Sequence, residues 1–423
     1  MTQLLMPKTL QTTLDNGLQV ILREVHSAPV ASWYVAYRIG SRNERTGQTG
    51  ISHWVEHMMF KGTPRFPAGV LDKTIDRLGG SWNAFTSADV TMYHETLPAQ
   101  HLTLALEAEA DRMTNALFLP ADVESERTVI ISERQGNENR PTFWLGEQVR
   151  ATAFRVHGYH HEIIGDMVDL HRITRDDLYG HYRQHYRPSN ATVVAVGAFD
   201  SQRLLKQIDA VYGRLPADPA PDLFTRPEPA QIGERRVMVE RPGKTGFVRV
   251  AHRIPEATHP DWIRLAMLDA ILGGAGPDNK TSRLYQALVK TGLCASAFTS
   301  MQETIDPYLH TVSMTLNAGT SHAQAEQALV EQIERLQAEP VTEAELRRAV
   351  KQTRAMYAYA SETVSYQAYM LAMGASFGQP DWFDRAAERL ATVTVDDVQA
   401  VAQRYFTPRS RTVGWLIPTG DVQ

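Results

Sequence analysis

The chain has 423 residues, a length that corresponds to two or three domains at roughly 100–200 residues each. Apolar residues make up 43% and charged residues 22% of the composition, which is typical of globular proteins and excludes a disordered chain. The formal net charge of -5 argues against a dedicated nucleic-acid binder, since such proteins carry a basic surface. Cys294 is the only cysteine, which excludes an intrachain disulfide and a multi-cysteine zinc site. Any metal must therefore be held mainly by histidine and carboxylate side chains.

Signals for secretion and membrane insertion are absent from the sequence. The N-terminal residues do not show the cationic segment and apolar run of a secretory signal. No apolar run approaches the ~20 residues that cross a bilayer. We therefore expect a soluble cytoplasmic protein.

The first half of the chain alternates between strand-like and helix-like patterns. Short runs of β-branched and aromatic residues predict strands, and Asp15-Asn16-Gly17 supplies the turn between the first two. Longer segments with apolar residues every three or four positions predict helices. Strands are predicted within 10–25, 30–39, 81–97 and 191–196, and helices over 51–60, 69–78, 99–117, 122–138 and 201–212.

A Pro-rich stretch near the middle divides the chain. Because this stretch shows little periodicity, we expect a stiff linker over 216–234 between a first domain, 1–215, and a second domain, 235–423. The second half restarts with the same kinds of element in a similar order. Strands are predicted at 235–239 and 246–251, and helices at 261–272 and 281–290. We predict an α+β fold of two homologous domains, each an antiparallel-rich sheet packed with helices.

The helix predicted from Ile51 contains the one motif that carries chemistry. His53 and His57 are four residues apart, so they lie on one helical face and can present two imidazoles to one ion. Glu56 lies close to the same face and can reach a water on the metal without binding the metal. This H-x-x-E-H order is the inverse of the HExxH zinc motif.

A catalytic zinc site needs a third protein ligand, usually a carboxylate. The helix after Pro120 offers Glu124, Glu126, Glu133 and Glu138. Glu126 and Glu133 are two turns apart and share a face, so one could bind the metal while the other orients a histidine. The spacing alone does not choose between them.

Five-residue patterns of this kind also arise by chance, and they then belong to ordinary surface residues. Here the motif lies in a short apolar helix between a buried strand and a glycine stop, which favours a functional site. His181 and His185 are also four residues apart, but no third ligand is obvious in the sequence and the neighbouring tyrosines favour a packing role.

Beyond the motif, the chain resembles the pitrilysin/insulinase family of inverzincin zinc metallopeptidases. It is most similar to the bacterial branch related to mitochondrial processing peptidase. The resemblance covers nearly the whole chain and is carried by LDNGLQVI, GSRNERTGQTGISHWVEHMMFKGT, GGSWNAFTSADVTMYHETL, ESERTVIISE, IIGDMVDL, YRPSNATVVAVGAFD and TSRLYQALVKTGL. It implies half of a clamshell, in which two chains enclose a chamber.

The resemblance also implies roles for single residues. It assigns one Zn²⁺ per chain to His53, His57 and Glu133, the role of general base to Glu56, and a supporting role beside the metal to Glu126. It places Asn83 and Ala84 on an edge strand that a peptide substrate joins as a further strand.

In the second half, the family's substrate-holding arginine matches Arg283. Ala295 stands where the family has a tyrosine, which departs from the pattern. The resemblance therefore favours a dimer, either of identical chains or with a paralogous partner that supplies an intact Arg/Tyr pair.

These features predict a zinc-dependent endopeptidase that hydrolyses peptides or unfolded segments inside a dimeric chamber. A zinc-activated water would be the nucleophile and Glu56 its general base. The alternatives are a non-catalytic structural or assembly subunit and a peptide-binding module of the same fold. The intact set of His53, Glu56, His57 and Glu133 weighs against the structural subunit.

Overall fold

The computed structural model describes residues 9–276 and 280–420. Eleven strands in these ranges are Thr9–Thr13 (β1), Gln19–Glu24 (β2), Val30–Tyr37 (β3), Ser81–Thr86 (β4), Thr91–Pro98 (β5), Ala191–Gly197 (β6), Arg235–Arg241 (β7), Phe247–Ile254 (β8), Cys294–Met301 (β9), Tyr308–Leu316 (β10) and Arg411–Pro418 (β11). The predicted strands all find counterparts among them.

The α-helices of the described residues are Ile51–Met58 (α1), Val70–Arg77 (α2), Leu102–Asn115 (α3), Pro120–Glu138 (α4), Pro141–Ala153 (α5), Met167–Arg172 (α6), Arg175–His185 (α7), Ser201–Tyr212 (α8), Trp262–Leu272 (α9), His322–Ala338 (α10), Glu343–Ala360 (α11), Val364–Ser376 (α12), Trp382–Arg389 (α13) and Val395–Tyr405 (α14). Every predicted helix of the first half is present. None of the helices in the described ranges combines the length and apolar character that a bilayer span requires.

The helix predicted over 281–290 takes a different form. Its centre, Tyr285–Val289, is a π-helical segment, and the Lys290 amide donates to the Tyr285 carbonyl five residues earlier at 2.8 Å. A π-helical segment differs from an α-helix by one residue in its hydrogen-bond spacing. Over so short a stretch, the pattern of apolar residues does not separate the two.

The chain divides into two compact units that exchange segments. Unit 1 consists of Met1–Arg134, His161–Thr225 and Ala360–Phe383, and unit 2 of Gln135–His160, Arg226–Tyr359 and Asp384–Gln423. Helix α12, from the C-terminal half, packs on β3 and β6, and helix α5, from the N-terminal half, packs on β7 and β11. The units are therefore not two consecutive pieces of chain, and the boundaries predicted at 215 and 235 stay a prediction.

The sheet of unit 1 has the strand order β1-β2-β6-β3-β5-β4. Strands β2 and β6 run parallel, and all other neighbours run antiparallel. The central strand β6, with the sequence ATVVAVG, is buried along its whole length. A continuous apolar strand of this kind needs cover on both faces, and α12 covers one of them.

The sheet of unit 2 repeats this topology without the first strand. Its order is β7-β11-β8-β10-β9, with β7 and β11 parallel and the other neighbours antiparallel. In chain order, β7 to β11 therefore take the places that β2 to β6 occupy in unit 1. The prediction of an α+β fold with two homologous domains is confirmed.

The N-terminus of α1 is fixed by a close approach of two backbone segments. Gly50 and Gly165 have φ values of 89° and 84°, a region that favours glycine. A Cβ on Gly50 would lie 2.4 Å from the Ile164 carbonyl oxygen, and one on Gly165 would lie 2.2 Å from the Thr49 carbonyl oxygen. The two segments can approach this closely only because both residues lack a side chain.

Buried carboxylates complete the attachment of α1. The two oxygens of Glu44 accept the amides of Gly50 and Ser52, each at 2.8 Å. Asp169 Oδ2 accepts both the amide and the hydroxyl of Thr49, at 3.0 and 2.7 Å. The first backbone N–H groups of a helix have no partner within the helix, and here Glu44 supplies one.

We expect the substitution Gly165→Ala to lower the free energy of unfolding by about 1–3 kcal/mol, because the new methyl group meets backbone atoms and φ is unfavourable. Gly180→Ala is the matched control. Its Cβ meets nothing within 4 Å in the interior of α7, so it should raise stability by about 0.5–1 kcal/mol. Urea unfolding followed by circular dichroism measures both, and equal effects of the two substitutions would contradict the close approach.

Candidate metal centre

Helix α1 presents the two histidines of the motif side by side. The ring centroids of His53 and His57 are 4.6 Å apart. Trp54, Val55 and Met58, on the other side of the helix, are fully buried in the core. Burial of this apolar face fixes the rotation of α1 about its axis, so the imidazoles are directed away from the core.

A third ligand candidate comes from α4. Glu133 Oε2 lies 3.8 Å from His53 Nε2 and 3.8 Å from His57 Nε2. Within the described ranges, these three side chains form the only group of three or more such residues whose ligand atoms all lie within 4.8 Å of one another. Two atoms each about 2.1 Å from a tetrahedral zinc ion would be about 3.4 Å apart, so the donor set fits zinc after a small contraction.

The other glutamates of α4 have different surroundings. Glu124 pairs with Arg127 on the exposed surface, at 3.0 Å. Glu126 Oε2 accepts a hydrogen bond from His57 Nδ1 at 3.0 Å. The sequence left open whether Glu126 or Glu133 is the third ligand. In the structure, Glu133 lies beside both imidazoles and Glu126 lies behind that of His57. The assignment of ligands remains a prediction.

Glu126 connects His57 to a further residue. Lys61 Nζ forms an ion pair with Glu126 Oε1, so the carboxylate is held at both oxygens. Although burial opposes it, the hydrogen bonds from Lys61 and His57 lower the pKa of Glu126. An ionised Glu126 keeps the proton of His57 on Nδ1, which leaves the Nε2 lone pair free for a metal.

The Nε2 atom of His53 is also available to a metal, but for a different reason. Burial, together with the nearby imidazole of His57, lowers its pKa to about 3. Its Nδ1 is buried and has no hydrogen-bond partner among the described residues. Its ring is therefore neutral at physiological pH, and Nε2 is the nitrogen beside Glu133.

Glu56 is buried beside the candidate ligands and is only 8% exposed. Thr86, at the end of β4, donates its hydroxyl to Glu56 Oε2 at 2.6 Å. Burial raises the pKa of Glu56, against the hydrogen bond from Thr86. A carboxylate with a raised pKa at the edge of a metal site is suited to take up a proton near neutral pH.

Strand β4 lies at one edge of the unit 1 sheet, next to β5. Within it, Asn83 pairs with His94 and Ala84 pairs with Tyr93, and among the described residues no strand pairs with its other side. Asn83 is exposed, and its side-chain oxygen accepts the Ala84 amide at 2.9 Å. An open strand edge next to Glu56 can accept an added peptide strand.

The predicted substrate residue of the second half lies in unit 2. The guanidinium of Arg283 pairs with Glu345, with Nε 3.0 Å from Oε1. Ala295 is exposed on the edge strand β9. Burial raises the pKa of Cys294 to about 11, which makes a thiolate nucleophile at this position unfavourable.

Sequence reasoning missed three residues that support the site. Lys61 holds Glu126, Thr86 orients Glu56, and Glu44 accepts the first amides of α1. Lys61 lies three residues beyond the end of α1, so helical spacing gave no signal for its contact with Glu126. Thr86 and Glu44 gave no such signal because their partners depend on how separate elements meet.

We expect Lys61→Met to weaken zinc binding by about 10–100-fold, the usual effect of removing a residue that supports a metal ligand. Lys61→Arg should restore most of the affinity, because the guanidinium also pairs with Glu126. Lys73→Met, at an exposed position on α2, is the matched control. Competition with a chromophoric chelator measures the dissociation constants, and an unchanged value in Lys61→Met would exclude the supporting role.

Comparisons with known proteins identify the family of the chain. The family model described as Insulinase (Peptidase family M16) matches residues 19–167, and the model described as Peptidase M16 inactive domain matches residues 172–353. A Helicobacter pylori protein named zinc protease PqqE is 30% identical over 425 residues, which cover 98% of this chain and 94% of that protein.

Two further comparisons extend over nearly the whole chain. The mitochondrial-processing peptidase subunit beta of Blastocladiella emersonii is 27% identical over 415 residues, 95% of this chain and 87% of that protein. The crystal structure of a protease from Helicobacter pylori superposes with a TM-score of 0.92 at 30% identity, covering 97% of this chain and 100% of that one. The chain therefore belongs to peptidase family M16, the pitrilysin/insulinase family.

Proposed function

We propose that this protein is a zinc-dependent endopeptidase that hydrolyses peptides or unfolded segments. The observation that carries the proposal is the convergence of His53, His57 and Glu133 within 4.8 Å, with the buried carboxyl group of Glu56 beside them. The homologue named zinc protease supports the same class of reaction. One ion per chain is expected at this centre, since a single such group occurs in the described residues.

Zinc held by these three residues would polarise a scissile carbonyl and lower the pKa of water. The protein's own contribution to the reaction begins with Glu56. Thr86 donates its hydroxyl to Oε2 of Glu56 and so orients the carboxyl group, which takes a proton from the attacking water. The same carboxyl group then delivers that proton to the leaving amine, so one residue serves as base and acid.

Substrate binding is assigned to the open edge of β4. A peptide that adds to this strand would pair with the backbone of Asn83 and Ala84, a mode that depends little on side chains. This supports peptides or unfolded segments as substrates rather than folded proteins, whose strands already have partners. A dimeric chamber around the site, and the cytoplasm as its location, are further parts of the proposal.

The proposal also includes a partner chain. Arg283 is engaged by Glu345 and Ala295 replaces the expected tyrosine, so the second half lacks a free Arg/Tyr pair for substrate. A paralogous subunit that supplies the pair would resolve this, and one relative is itself named as a subunit. A homodimer with a weaker grip on the substrate is the alternative.

We expect Glu56→Gln to retain the zinc held by His53, His57 and Glu133 and to lower kcat by about 10²–10⁴-fold, the usual contribution of a general base. Glu124→Gln, an exposed glutamate on α4, should change neither quantity. Metal analysis and cleavage of a quenched fluorescent peptide library measure both. Loss of zinc in Glu56→Gln would make Glu56 a ligand and overturn its assignment as base.

The wild-type chain alone tests the partner and the non-catalytic alternatives. One zinc per chain with chelator-sensitive cleavage would establish a self-sufficient peptidase and exclude a need for a paralogue. One zinc without cleavage, followed by cleavage when a paralogous chain is added, would support the heterodimer. Zinc without cleavage in any mixture would favour a peptide-binding module, and a chain without zinc would favour a structural subunit.

A further inference from the structure

Unit 1 contains a polar cavity of about 370 Å³ beside the N-terminus of α1. Residues that line it include Glu44, Ile51, Asp177, His181, His185 and Phe224. Its volume falls in the range of sites that hold small ligands. Neither the proposed reaction nor the packing of the core accounts for the two imidazoles in its wall.

The geometry of the two imidazoles matches that of the proposed zinc ligands. His181 and His185 occupy positions i and i+4 of α7, and their ring centroids are 4.6 Å apart, the same separation as for His53 and His57. Two imidazoles so placed on one helical face can bind one ion. The cavity in front of them leaves room for water, each molecule of which takes about 30 Å³ in the liquid.

The two rings are weakly engaged by the protein. Among the described residues, the His181 side chain has one hydrogen bond, to the hydroxyl of Ser52, at the limiting distance of 3.5 Å from Nε2. Nδ1 of His185 is buried without a hydrogen-bond partner among the described residues. Burial lowers the pKa of His185 to about 4 and that of His181 well below its usual value, so both rings are neutral and have lone pairs to donate.

Two of the carboxyl groups that line the cavity are already engaged by hydrogen bonds. Both oxygens of Glu44 accept amides of α1, and those of Asp177 accept hydrogen bonds from Gln48 and Thr174. Neither group is therefore free to serve as a third ligand beside the two imidazoles. The protein would supply two ligands at this site, and water molecules in the cavity would supply the others.

We propose that His181 and His185 form a second metal site, which takes a divalent transition-metal ion such as Zn²⁺ and completes its coordination with water. Imidazole suits Zn²⁺, Ni²⁺ and Cu²⁺. With two protein ligands this site binds more weakly than one with three. It is independent of the proposed peptidase reaction, since none of its ligands belongs to the centre on α1.

Titration of the metal-free chain with Zn²⁺, followed by equilibrium dialysis and metal analysis, tests the inference. We expect two ions per wild-type chain, bound with different affinities. The double variant His181→Gln/His185→Gln should lose the weaker ion and keep the tighter one. The variant His53→Gln/His57→Gln should do the opposite. His171→Gln, at an exposed position on α6, is the control and should keep both ions.

A measurement on the wild-type chain guards against variants that fail to fold. In NMR spectra of the imidazole nitrogens, the first equivalent of Zn²⁺ should shift His53 and His57, and the second should shift His181 and His185. A single ion per wild-type chain at saturating Zn²⁺ that shifts only His53 and His57, or a second ion that shifts neither His181 nor His185, would overturn the inference. A single ion that shifts His181 and His185 but neither His53 nor His57 would count against the peptidase centre and leave the second site intact.

Discussion

The candidate site depends on the backbone contact at Gly165. A Cβ on this residue would meet backbone atoms of Thr49 and Gly50, which lie in the connection between β3 and α1. Its carbonyl also accepts a hydrogen bond from Arg134, the residue after Glu133 on α4, at 2.7 Å. One short segment therefore fixes the start of the helix with both histidines and the part of α4 that carries the third candidate ligand.

Side chains extend this attachment along the two helices. Arg127 of α4 lies over the ring of Trp54 on α1, with 4.7 Å between the guanidinium carbon and the ring centroid. Next to Arg127 on α4, Glu126 pairs with Lys61, three residues after the end of α1, and so joins α4 to that end of the helix. The candidate ligands thus come from helices that are already held together by other contacts, so the candidate site is preorganised by the fold.

The two units share a five-stranded topology but differ in the metal-binding side chains that they contain. Unit 2 repeats the five-stranded order, but its described residues form no group of three metal-binding side chains. The exchange of α5 and α12 makes each sheet depend on a helix from the other half of the chain. The second half therefore contributes to the folding of unit 1, which contains the candidate metal centre.

Much of the architecture follows from sequence because its signals are local. Apolar periodicity gave the strands and helices of the first half, and the four-residue spacing of His53 and His57 placed them on one face of a helix. The sequence also limited the third ligand to the glutamates of α4. These conclusions need only the geometry of a single element.

The tertiary structure decided what depends on contacts between elements. It placed Glu133 rather than Glu126 beside both imidazoles, paired Lys61 with Glu126, and brought Thr86 to Glu56. It also placed α12 on the sheet of unit 1, far from its position in the chain. The sequence by itself determined which residues can bind a metal and in which helices they lie. Their distances from one another were decided by packing, because burial of apolar faces sets the relative positions of helices and strands that no local pattern records.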